Sequence, residues 1–207
     1  MTPSPAERLR TDTRRLHAAV ERAGIMPRLL RGELGRVDYC RLLRNLHEIY
    51  WTLEPALLRH AARPQVAPVV LPELFRAEAL GSDLASLYGA DWSVLELMTA
   101  TRMYVERLRQ VADDAPGLLV AHAYVRYLGD LSGGRILRQI VADSFGLSGS
   151  SGLHFYDFGA DAQARGLASR LRQGIDAACA VSPLDPIVAE AQHAFRLHAR
   201  LFEELAT

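Results

Sequence analysis

Little in this sequence would staple the chain, carry it through a membrane or give it a field of one sign. Only two cysteines, Cys40 and Cys179, occur in 207 residues. That is too few for a disulfide framework or a metal–thiolate cluster, and it points to a reducing, cytoplasmic setting. Basic and acidic residues balance at 24 each, which excludes the global basic field of a nucleic-acid binder and leaves room only for local patches. No apolar run approaches the ~18 residues needed to cross a bilayer. The start, Met-Thr-Pro-Ser-Pro-Ala-Glu, lacks a basic-then-apolar signal pattern, so a soluble protein without membrane contact is expected. There is no fixed-period repeat, low-complexity tract, GxGxxG fingerprint or convincing pair of strands. Apolar residues are plentiful, at 49% against 23% charged, enough for one domain with a sizeable core.

Proline and glycine punctuate a series of helical segments, so the expected class is all-α, a single-domain compact bundle of about eight helices. Ser4-Pro5-Ala6-Glu7 has the form of a capping box with proline at the first helical position, opening a helix to about residue 22 with Leu9, Thr13, Leu16 and Val20 inward. A long helix over about 36–60 turns Leu42, Leu43, Leu46, Ile49, Tyr50, Leu53 and Leu57 inward. After a proline-bearing loop at about 63–72, the segment 72–88 is expected to break at Gly81-Ser82-Asp83, with Ser82 capping a new helix. Helices follow over about 98–111, from Pro116 to Gly146, over about 160–180, and from Ser182 as cap with Pro183 at the first helical position. Leu153 to Phe158 reads as an aromatic loop on the core, or as a short strand.

The helix after Pro116 departs from its own pattern at the centre. Gly129, Gly133 and Gly134 sit where a helix should be filled, each at a cost of about 1 kcal/mol relative to alanine. Gly129, Ser132 and Gly133 share one stripe, leaving bare backbone on which a broad flat ligand can lie or another helix can pack. Arg126 and Asp130 flank that stripe with a guanidinium and a carboxylate. In the first helix Arg10 and Arg14 project to the same side as His17. This suits a neutral imidazole ligand beside an anionic group, or a partly buried histidine under solvated arginines. His47, Tyr50 and Trp51 can line a pocket, though their spacing equally suits core.

Taken together, three stretches resemble the haem oxygenase family. Leu16-His17 followed by Glu21 is similar to its proximal-ligand region. Ala121-His-Ala-Tyr-Val-Arg-Tyr-Leu-Gly-Asp-Leu-Ser-Gly-Gly134 looks like its signature, and Ala194 to Leu205 its last helix. The resemblance implies haem b as both substrate and prosthetic group, sandwiched between a proximal helix, whose His17 ligates the iron, and a glycine-kinked distal helix. Dioxygen would bind above the bare backbone of Gly129, Ser132 and Gly133. Asp130, with Arg126 and Tyr124 as further members, would hold the waters that deliver a proton to it. Glu21 would accompany His17. Arg10 and Arg14 would meet the haem propionates, joined from the penultimate helix by Arg165 and Arg170, or Arg172. Ser169 departs from the pattern where a second cation is expected.

The implied activity is O2- and electron-dependent opening of haem at a meso carbon, α by default, to biliverdin, carbon monoxide and ferrous iron. With no nucleotide or iron–sulfur motif in the chain, electrons would come from an external donor: a ferredoxin, a flavodoxin or an NAD(P)H-dependent reductase. That donor would dock near Arg10, Arg14 and Arg15 on a monomer. A haem carrier or sensor without turnover, or a binder of another small molecule on the same fold, is the alternative. His47, His60, His122, His154, His193 and His198 read as structural or surface groups.

Overall fold

The computed structural model describes residues 3–207. Its α-helices are α1 (Pro5–Val20), α2 (Met26–Leu30), α3 (Arg36–Arg59), α4 (Ala77–Leu87), α5 (Thr99–Asp114), α6 (Leu119–Phe145), α7 (Asp161–Cys179) and α8 (Leu184–Glu204). Short 3-10 turns join several of them, and no strand occurs among the described residues. Helices α3, α6 and α8 carry the middle of the bundle, where Leu43, Tyr50, Leu53, Val120, Tyr127, Ala191 and Leu201 are all buried. Helix α1 lies against α8 and α7, and α4 and α5 against α3.

Local signals account for several boundaries. The Ser4 amide donates to the Glu7 carboxylate at 2.9 Å and the Glu7 amide to Ser4 Oγ at 3.4 Å, the reciprocal pair of a capping box. Gly146, at φ 63°, ends α6 in the left-handed conformation that only glycine enters without a Cβ penalty. Helix α6 stays helical from Leu119 to Phe145 through all three glycines.

Two expected starts are displaced. Helix α4 runs unbroken through Gly81-Ser82-Asp83 and begins at Ala77. There the buried Glu54 carboxylate of α3 accepts the Arg76 and Ala77 amides, a cap supplied from elsewhere in the chain. Asp83 is likewise a long-range clip, accepting the His154 and Phe155 amides at 2.8 Å each. Helix α8 has Pro183 in the N-cap position and no side-chain cap, and starts at Leu184. Proline has the extended backbone that an N-cap needs, so Ser182 falls one residue too early.

A buried ionic cluster ties α8 to α5 and α6. Arg107 donates to both Glu190 oxygens, at 3.0 and 2.6 Å, and His122 Nε2 lies 3.0 Å from Oε1. Burial raises the affinity of Glu190 for a proton, but His122 and Arg107 outweigh it and bring its pKa down from 4.5 to about 2. A carboxylate with a depressed folded pKa contributes stability that is complete above the unfolded value and lost as pH falls through the folded one. Stability should therefore fall between about pH 4.5 and 2. Glu190→Gln should flatten that acid limb and cost about 2–3 kcal/mol at neutral pH, read by urea unfolding at a series of pH values.

Candidate functional site

A crevice opens between α1 and α6, and its two chambers meet at five shared residues: His17, Val125, Gly129, Ser132 and Phe195. The inner chamber, about 340 Å³, is walled by α1, α2, α3, α6 and α8 and is mostly apolar, with Leu42, Leu46, Leu137, Phe155 and Phe202 on its sides. The outer one, about 680 Å³, has a mixed polar and apolar lining and opens between α1 and α7.

The floor of both chambers is the stripe of small residues on α6. A Cβ built on Gly129 or Gly133 would meet no atom within 4 Å, so neither glycine is there for helix packing. Gly134 is different: a Cβ there would lie in ordinary contact with Tyr156, at 3.5 Å. The Ser132 hydroxyl turns back to Leu128 O at 2.6 Å and adds little bulk to the strip.

His17 stands on the opposite wall, its side chain half exposed at 50% and its ring edge-on to Phe195, with centroids 5.8 Å apart. Its Nδ1 lies 3.6 Å from Glu21 Oε1. That is an electrostatic contact rather than a formed hydrogen bond, and it favours the proton on Nδ1, leaving Nε2 with its lone pair free.

Across the strip, Asp130 is held at both oxygens. Arg126 Nη2 donates to Oδ1 at 3.2 Å and the Tyr50 hydroxyl donates to Oδ2. Arg126 Nε donates in turn to the Tyr50 oxygen at 3.0 Å, and Nη1 to His198 Nε2. All four residues are buried. Burial pushes the Asp130 carboxyl above its ordinary range, with Arg126 and Tyr50 opposing it. A carboxyl whose proton affinity is raised, at the edge of a cavity, is placed for proton transfer.

Tyr124 does not join this group. Its hydroxyl is 3.0 Å from Thr13 Oγ1 on α1 and faces the outer chamber. The expected cations also divide. Arg10, Arg14 and Arg172 line the outer chamber and have no ion-pair partner among the described residues. Arg170 instead binds Glu73 at 2.7 Å, and Arg165 is exposed away from both chambers. Two residues along a helix turn the side chain by about 200°, which separates Arg170 from Arg172, whereas Arg165 shares the Arg172 face and lies two turns, about 10 Å, away along α7. The two carboxylates of the outer chamber are engaged with backbone: Glu7 with the Ser4 amide and Asp176 with the Ala6 amide at 2.8 Å. His198, Phe155 and Tyr156 are wall residues that the sequence reading did not place in the site, and Tyr50, read there as able to line a pocket, stands behind the wall on Asp130. Glu21 and Val20 border the inner chamber beside His17.

These features define an all-α protein with one crevice between a histidine-bearing helix and a glycine-lined one, shaped for a flat apolar body with an anionic edge. The family model described as Heme oxygenase matches residues 4–204. The heme oxygenase of Porphyra purpurea is 35% identical over 207 residues, covering 99% of this chain and 88% of that protein. Heme oxygenase-1 from the cyanobacterium Synechocystis, solved in complex with heme, superposes with a TM-score of 0.88 at 34% identity, covering 98% and 92% of the two chains. The heme oxygenase from Leptospira interrogans does so with 0.90 at 33%, covering 98% and 100%. The chain belongs to the haem oxygenase family.

Proposed function

We propose that the protein binds haem in this crevice and opens it at a meso carbon to biliverdin, carbon monoxide and ferrous iron. The observation that carries the reading is the opposition of His17 and Asp130 across an unfilled Gly129–Gly133 strip in one continuous crevice. The residues present fit the group. The apolar inner chamber suits the porphyrin body, and the unpaired Arg10, Arg14 and Arg172 suit two propionates at the mouth. His17 would hold the iron through Nε2, with Glu21 setting the tautomer. The likeness to the Synechocystis structure, solved in complex with heme, supports haem as the ligand.

Bound haem supplies the iron at which dioxygen is reduced, and the porphyrin is itself the substrate. The chain's own residues do the rest. Gly129 and Gly133 would place no side chain against the bound group, leaving space for dioxygen on that side of the crevice. Asp130, fixed by Arg126 and Tyr50, holds and passes a proton on that face, through water. The choice of the α-meso carbon rests on family likeness. Electrons would come from a separate ferredoxin, flavodoxin or NAD(P)H-dependent reductase. The exposed Arg15 beside Arg10 and Arg14 supports docking on that side. A monomer in the cytoplasm completes the proposal, with Cys40 and Cys179 both unpaired.

The test is to add haemin, reductant and air, with catalase present, and follow the Soret band before identifying the pigment. Loss of the band with a biliverdin isomer as product supports the reading and gives the regiochemistry. A stable oxygen complex that never yields biliverdin would make the protein a carrier or sensor. The bare strip makes a second expectation with opposite signs for fold and function. Gly133→Leu removes a helix-interior glycine and should raise stability by about 0.5–1 kcal/mol. The same side chain should lower haem uptake roughly tenfold or more by filling the crevice floor. Thermal melting and haem titration on one sample check both.

A further inference from the structure

We propose that His198 is a positioning residue for this reaction. As a neutral imidazole it accepts from Arg126 and holds the guanidinium in the orientation in which its other two nitrogens engage Tyr50 and Asp130. The proposal rests on the haem-opening reading given above.

His198 lies on α8, is 3% exposed and borders the inner chamber. An arginine nitrogen has no lone pair to offer, so the close Arg126 Nη1 contact requires an unprotonated Nε2 and puts the imidazole proton on Nδ1. That Nδ1 is buried and has no hydrogen-bond partner among the described residues. A buried, unpartnered N–H is costly, and here it is retained because the other ring nitrogen has work that no hydrocarbon could do.

The groups facing the ring are consistent with a neutral imidazole. Arg126 approaches from α6, the Tyr104 ring from α5 with centroids 5.7 Å apart, and Phe202 from α8 itself at 5.2 Å. No carboxylate pairs with it among the described residues. Burial, and then the charge of Arg126, push its protonation well below the ordinary histidine range.

Each nitrogen of Arg126 then has one acceptor on a different helix position: Tyr50 on α3, His198 on α8 and Asp130 one turn along α6. A planar fork fixed at three points cannot rotate. With the α8 contact removed, the guanidinium would swing to find another acceptor. The carboxylate would then lose its orientation without losing its charge partner.

Two substitutions separate this role from space filling. His198→Gln can present its amide oxygen near the Nε2 position, whereas His198→Leu keeps the bulk and removes the acceptor. In the ligand-free protein, 15N NMR should show His198 as the neutral Nδ1–H form from about pH 5 to 8. The Arg126 N–H protons should be slow to exchange in the parent and in His198→Gln and fast in His198→Leu. With haem loaded, His198→Leu should make biliverdin roughly tenfold more slowly at nearly unchanged haem affinity, and His198→Gln should recover most of the rate.

Parent-like exchange and rate in His198→Leu would overturn the proposal. So would a His198→Gln variant as impaired as the leucine, since the ring would then be acting by shape. If the parent itself makes no biliverdin, the haem-opening reading fails, while the exchange comparison still decides whether His198 holds Arg126.

Discussion

His17→Ala is expected to end biliverdin formation while leaving the fold intact. The side chain is half exposed, with 50% of its surface open, and it makes no hydrogen bond into the core. Its removal should therefore change stability by no more than about 0.5 kcal/mol. Its ring is 3.6 Å from Glu21 and edge-on to Phe195. Loss of merely an outer partner of a metal-bound histidine costs roughly 10–100-fold, so loss of the ligand itself should exceed 100-fold in turnover. A titration with ferric haem would show residual apolar binding in the inner chamber with the spectrum of a differently ligated iron. An unchanged spectrum and an unchanged rate of pigment formation would remove His17 from the reaction.

Asp130→Ala should divert turnover rather than stop haem binding. The carboxylate sits among buried partners and touches no residue of the arginine-lined outer chamber, so affinity should change little. Without it, proton delivery on the distal face loses its organised donor. Biliverdin formation should drop by at least about 100-fold, the lower range for a positioned acid–base group. Oxidation of added peroxidase substrates should appear in its place. The alanine also leaves Arg126 buried without its carboxylate, which costs roughly 3–5 kcal/mol. Asp130→Asn is the cleaner comparison, since its amide oxygen can still accept from Arg126 but cannot take up a proton. Both variants should fail to make biliverdin, and only the alanine should melt markedly earlier. Biliverdin at the parent rate from either would show that Asp130 has no part in the proton path.

Much of the fold was legible because its signals are local. The capping box at Ser4 and Glu7 involves residues three apart and would form in almost any surroundings. Gly146 ends α6 for a reason contained in its own backbone. The inner face of α3, from Leu42 to Leu57, followed from helical spacing alone. The misplaced starts had distant causes. Nothing near Ala77 announces that Glu54, more than twenty residues earlier, will accept its amide. The aspartate that seemed to belong to a local break at Gly81 reaches across to His154 and Phe155.

The site divides in the same way. The glycine strip with Asp130 and Arg126 could be picked out because a helix interior that gives up three side chains is anomalous within its own window. Arg10, Arg14 and His17 share a face of α1 by periodicity, and the structure keeps them on one chamber wall. His198 read as a structural or surface group, and Tyr50 as an aromatic able to line a pocket or to fill the core. Each looks like an ordinary inward residue on an amphipathic helix, and only the crossing of α3 and α8 behind α6 turns their polar atoms onto Arg126 and Asp130. Arg172 was separated from Arg170 by the face of α7 that meets α1, and from Arg165 by its place along that helix.

The sequence by itself determined the all-α class, the capping box at Ser4, the glycine end of α6, the inner faces and the two helices that face each other across the crevice, because these depend on spacings within a few turns of one helix. Tertiary structure alone decided which face of α7 meets the mouth, which residues immobilise Asp130 and where α4 begins. Those outcomes depend on the angles and offsets at which helices pack, which no single helix encodes.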